Sequence, residues 1–135
     1  MLNDIETTVM GMLLAGEHPA LAVLRDQLAA AEVIEREFSG VGFFTHFRVP
    51  ACSPRLDRGR LVIGDVHATL TGLEHDAGFL LFVTDGVLDM LECFIADDRW
   101  PNESQLVRAC YVRRGAHGSS SLVETDVRDL QEALS

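Results

Sequence analysis

The segment Gly78–Phe94, GFLLFVTDGVLDMLECF, constrains the fold more than any other part of the chain. Two apolar runs flank Asp85-Gly86, a dipeptide that tolerates the positive φ of a two-residue type I′ turn. The segment reads as a β-hairpin with apolar residues on both faces. Pairing Thr84 with Val87 places Phe79, Leu81, Val83, Leu88, Met90 and Phe94 on one of those faces. Asp89 interrupts the second run and needs a hydrogen-bonded partner if it is buried.

Two helices are predicted upstream. Leu2, Ile5, Val9, Met12 and Leu13 recur at helical spacing before Gly16. Pro19 suits the first turn of a second helix, whose stripe is Leu21, Leu24, Leu28 and Ala31, with Arg25, Asp26 and Gln27 toward water. From Val33 the period changes to two. Ile34, Arg36 and Phe38 fall on one face, Glu35 and Glu37 on the other. In the next strand Val41, Phe43, Thr45, Phe47 and Val49 oppose Phe44, His46 and Arg48. Prolines and Gly59 make 50–59 a loop. In 61–71, Val62, Val66, Ala68 and Leu70 share one face, and Ile63, Asp65, His67, Thr69 and Thr71 the other. A polar turn at Asp97-Asp98 and the single Trp100 precede a last strand over 106–112. The stretch 115–121, GAHGSSS, reads as a linker. Val123, Val127, Leu130 and Leu134 then form one helical stripe, and Ser121 with Glu124 matches a capping box.

Helices first and strands in succession predict an α+β fold, with N-terminal helices packed on one face of a mostly antiparallel meander sheet, plus a C-terminal helix. The expected organisation is one α+β domain over 1–114, a linker over 115–121 and an amphipathic helix over 122–135 that docks in cis or in trans. At 135 residues and 47% hydrophobic composition the chain is long enough to bury a core and lies far from the disordered class. Its formal net charge is −10, from 21 acidic and 11 basic residues, and every basic residue is arginine. That sign disfavours nucleic acid and anionic membrane surfaces and suits a basic protein partner. Asp4 and Glu6 stand where a signal peptide needs cations, and no apolar run approaches membrane-span length. Three widely spaced cysteines, Cys52, Cys93 and Cys110, read as reduced thiols, so a cytoplasmic location is expected.

Chemistry has few candidates. If Pro50 pairs with Leu61 across the loop, His46 faces Asp65, and Phe44 approaches His67. His46, Asp65 and His67 are therefore the candidate acid–base or ligand residues, on an assumption of register. His75, Asp76 and Cys52 complete the inventory of metal donors, but CxxC, HxxxH and HExxH spacings are absent. No metal or cofactor is expected. GxSxG is also absent, and Gly40-Val41-Gly42 precedes a strand instead of opening a phosphate-binding helix. The face carrying these polar residues is expected also to present Phe79, Leu81, Val83, Leu88 and Met90, and with Trp100 these are the candidate interaction surface. An apolar face of that size needs a cover: the tail, a second copy of the chain in a homodimer, or a partner.

The strings GVGFFTHF, from Gly40 to Phe47, and GLEHDAGFLLFVTDGVLDMLE, from Gly72 to Glu92, followed by Trp100-Pro101, resemble a group of small acidic bacterial proteins of unknown function. They are also similar to some immunity-type proteins of bacterial toxin systems. The resemblance spans roughly residues 1–101 and departs at Cys93-Phe94-Ile95, where the pattern has a glycine and a tyrosine. It assigns no catalytic residue. It implies a non-enzymatic, immunity-like module that binds a protein partner. The alternative is a small-ligand-binding protein or hydrolytic enzyme that uses His46, Asp65 and His67.

Overall fold

Asn3 opens the first helix, α1 (Asp4–Leu13), in a computed structural model that describes residues 1–96, 99–101, 103–114 and 122–135. Its side chain accepts from the Glu6 amide, and the Glu6 carboxylate accepts from the Asn3 amide, a reciprocal capping box. Pro19 starts α2 (Pro19–Ala30), where His18 Nδ1 caps the Ala20 amide. Ala31 is already extended and leads into the strands β1 (Glu32–Phe38) and β2 (Gly42–Arg48). The remaining elements are β3 (Arg60–Leu70), β4 (Ala77–Thr84), β5 (Val87–Phe94), β6 (Leu106–Arg114), β7 (Leu122–Thr125) and α3 (Leu130–Ala133). The expected linker 115–121, the Asp97-Asp98 turn and the Ser121 half of the capping box lie outside the described residues.

The architecture is α+β, with an antiparallel seven-stranded sheet in the order β1-β2-β5-β4-β3-β6-β7. β3, β4 and β5 form the expected meander. The link β2–β3 passes over one end of it and the link β5–β6 over the other, which gives two overlapping Greek-key arrangements. The β4–β5 hairpin turns as its sequence requires: Asp85 has φ 53° and Gly86 φ 76°, and Thr84 pairs with Val87.

Both N-terminal helices pack on one face of the sheet, and the core lies between the layers. Ile63, Phe79, Leu81 and Leu91 of the central strands are fully buried with Val9, Leu13, Leu21 and Leu24 of the helices. Each such side chain contributes about 1.5–3 kcal/mol of burial.

Four register shifts change which side chains share this face, the one in β6 leaving Val107 exposed and turning Leu106 to the core. In β1 the extra residue is Ile34: Val33 pairs with Phe47, and Glu35 pairs with His46. In β3, Gly64 and Asp65 fall between the pairs Ile63–Leu81 and Val66–Phe79. Leu61 and Ile63 therefore join Val66, Ala68 and Leu70 in the core, whereas strict alternation puts Ile63 with His67. In β5 the extra residue is Asp89, which accepts from Thr84 Oγ1 at 3.0 Å. Beyond it Leu91 and Cys93 face the core, and Met90 and Phe94 face away from it.

Two further expectations are corrected. Gln27, placed toward water, is fully buried: its amide nitrogen donates to the Pro54 and Gly86 carbonyls, and its oxygen accepts from the Leu88 amide. The tail is not one helix over 122–135. Leu122–Thr125 pairs with β6 as a strand, because Val123 and Thr125 favour extended backbone beside an open edge, and only a four-residue helix follows. The tail packs on its own chain, with Ala133 and Leu134 buried. Arg58 donates to the Leu134 carbonyl at 2.5 Å.

Candidate functional site

The strand order separates the three residues expected to converge. β2 lies between β1 and β5, so His46 faces Glu35 and Met90 and not Asp65. Asp65, re-aimed by its bulge, lies on the helix side. There Arg128 grips both its oxygens, at 2.8 and 3.0 Å, and also donates to the Leu13 and Ala15 carbonyls of the α1 terminus. The Arg128 guanidinium stands 5.2 Å from the centre of the Tyr111 ring, whose hydroxyl donates to the Met12 carbonyl. This cluster fastens the tail to the helical layer. His67 sits on the other face of β3, opposite Gly78 and Cys110, with its ring edge-on to Phe94 at 6.4 Å. Burial pushes the His67 pKa below its ordinary value, against the opposing pull of Asp76.

The expected interaction surface also divides. Phe79, Leu81, Val83 and Leu88 are buried beneath the helices. Alternation tells which residues share a face, but not which face the helices cover. Met90 remains on the open face. Trp100 packs edge-on against Phe43 at 5.4 Å, on the helix side, and its amide donates to the Gly40 carbonyl.

The open face is the largest feature left for function. The register places Phe44, Met90, Leu80, Phe82 and Val62 on adjoining strands, all half-buried, and at one end Val62 and Leu80 line a concavity of about 300 Å³ with Leu122, Glu132 and Ala133 of the tail. Phe94 lies beside them, its ring over Gly78, where a Cβ would stand 2.2 Å from ring carbon. Carboxylates interrupt this surface. Glu92 sits between Phe44 and Leu80, and Glu35 and Glu37 occupy the β1 edge.

At that edge His46 Nε2 lies 2.5 Å from Glu37 Oε1, and donor atoms of Glu35, Glu37 and His46 all fall within 4.8 Å of one another. Among the described residues this is the one group of three such donors. It depends on the Ile34 bulge. In an unbulged ladder of this same sequence continued from Val33–Phe47, Ile34 would face His46 and Glu35 would point inward. The same bulge turns Arg36 to the helix side, onto the fully buried Glu6. Burial alone would raise the Glu6 pKa, but hydrogen bonds from Arg36, Thr45 and the Asn3 amide outweigh it and hold the carboxyl below its ordinary value.

The thiols offer no activated nucleophile among the groups whose ionisation is perturbed. Burial, helped by Glu92, pushes Cys93 up to about 12, and burial also raises Cys110. Cys52 is exposed. A concavity of about 640 Å³ lies between Asn3–Ile5 and Ser104–Leu106 and contains none of the expected site residues.

Glu6 and Gln27 are the buried polar residues that sequence reading missed. Asn3-x-x-Glu6 is a capping-box spacing, and Gln27 stands three residues after Leu24 on the apolar stripe; both signals are present in the sequence. No helix among the described residues is long and apolar enough to cross a membrane. Comparison with known proteins finds no matching family model, no matching curated protein and no matching solved structure.

Proposed function

We propose that this protein is a non-enzymatic, immunity-like binding module that docks a protein partner on the open face of its sheet. The carrying observation is that face itself: Phe44, Leu80, Phe82 and Met90 lie side by side with Glu35, Glu37 and Glu92 among and beside them. Apolar side chains at the centre of a patch supply affinity, and charges at its rim select the partner and speed encounter. The complementary partner is a protein surface with an apolar centre and arginine or lysine around it. A second copy fits less well. Glu92 stands in the middle of the face, and two chains of charge −10 would bring like charges together. The separation of His46, Asp65 and His67 supports a binding role over acid–base chemistry at those residues.

The test begins with mass in solution. A monomer at micromolar concentration is expected. A dimer that dissociates on Phe82→Asp would assign the face to self-association and overturn the proposal. Proteins retained from the native cell by the wild type, but not by Phe82→Asp or Glu92→Arg, would then be purified. A 1:1 complex rebuilt from two pure components and weakened by salt is the supporting result. Retention that ignores both substitutions would remove the open face from consideration.

A further inference from the structure

We propose that Glu35, Glu37 and His46 form a binding site for a divalent first-row transition ion, with zinc as the reference metal. This inference does not depend on the docking proposal. One imidazole nitrogen and two carboxylate oxygens form a donor set that suits zinc-class ions, and an oxygen-only set would favour calcium or magnesium. The geometry is close to what such an ion needs. Ligands at tetrahedral zinc stand roughly 3.4 Å apart, given bonds of about 2.0–2.1 Å. Here the three donors lie within 4.8 Å of one another, with the His46–Glu37 pair at 2.5 Å. Small rotations of two exposed glutamates close that difference, and the fourth position stays open to water.

Three features of the chain support the site. First, the donors come from paired strands. Glu35 is directly opposite His46, and Glu37 is opposite the adjacent Phe44, so the ladder fixes their spacing. Second, the Ile34 bulge gives Glu35 this aim. A bulge next to a site is a recurrent means of re-aiming a side chain. Third, the two neighbouring arginines are engaged elsewhere: Arg36 with Glu6 on the helix side, and Arg48 with Glu32. Two carboxylates and an imidazole are thus gathered where a dication would balance them.

The test is calorimetric titration of zinc into the Cys52→Ser protein, which removes the exposed thiol as a competing ligand. One equivalent with micromolar affinity is expected. His46→Ala and Glu35→Gln should each weaken binding by tenfold or more while circular dichroism shows the fold retained. Millimolar calcium should leave zinc binding unchanged. Cobalt bound in place of zinc should absorb as a nitrogen–oxygen site, without thiolate charge transfer. Binding that survives both substitutions, or that calcium displaces, would identify an adventitious ion on surface carboxylates and overturn the proposal. Absence of binding at millimolar zinc would overturn it as well.

Discussion

The Glu6 carboxylate closes the capping box of α1 and, from inside the core, holds Arg36 and Thr45. Its folded pKa lies below the ordinary value near 4.5, so its contribution is complete at neutral pH and is lost as pH falls through the folded pKa. Glu6→Gln should cost about 2 kcal/mol at pH 7, because Arg36 loses its charged partner. Urea melts at a series of pH values check this: the wild-type and variant curves should approach each other below pH ~4, since Glu6 titrates only in the wild type. Parallel curves would mean that Glu6 does not titrate with folding. Gln27 acts differently, because it is neutral and satisfies three backbone groups from the loop and hairpin. Gln27→Ala should therefore cost on the order of 3 kcal/mol with no pH dependence of its own, an outcome read from the same melts. Both residues were legible only in part. The sequence shows where a polar side chain interrupts an apolar stripe, but whether that side chain finds partners depends on loops distant in the chain, here Pro54 and Gly86.

At the scale of elements, what was legible followed local chemistry. The Asp85-Gly86 turn, the Pro19 helix start and the alternation of β2 all depend on neighbours in sequence, and all appear as expected. The bulges did not, because an extra residue such as Ile34, Asp65 or Asp89 is compatible with a regular strand until its partner strand is known. The β1 bulge yields a direct test. Deleting Ile34 should leave Val33 opposite Phe47 and Glu35 opposite His46 in a regular ladder, with both the Arg36–Glu6 contact and the cluster at His46 intact. The deletion variant should fold with a stability change within about 1 kcal/mol. Deleting Glu35 instead should keep Arg36 inward but set Ile34 beside His46. It should leave the fold and abolish zinc binding. Denaturant melts and zinc titration of the two deletions check both statements. Unfolding of the Ile34 deletion would show that the bulge is itself required for the twist of the edge.

The whole molecule is set by pairings far apart in sequence, and those pairings decided the fate of the expected site. Had β2 paired with β3, His46 and Asp65 would be neighbours; the two connections over opposite ends of the sheet place β5 and β4 between them. Asp65 takes Arg128 instead, so the last fourteen residues become part of the domain. The tail is held by a four-residue strand on β6, a four-residue helix, the Arg128 clamp, the Arg58 bond to the Leu134 carbonyl and the bond from the Arg114 amide to Glu132. Short elements open at lower free energy than the sheet interior, unless something ties them down. Arg128 has the strongest claim to that role. Its side chain is 7% exposed and donates to two Asp65 oxygens and two backbone carbonyls. Arg128→Ala leaves Asp65 buried without its cation, which should cost on the order of 3 kcal/mol. The cost should fall unevenly. Hydrogen exchange of the Ala133 and Leu134 amides should accelerate strongly, while Leu81 and Leu91 in the central hairpin keep their protection relative to global stability. Tail amides that exchange as in the wild type would place the anchor in the burial of Leu130 and Leu134 and not in the ion pair. Equal acceleration at every amide would mean that tail and sheet open as one unit, so that the chain has no separable C-terminal arm to release toward a partner.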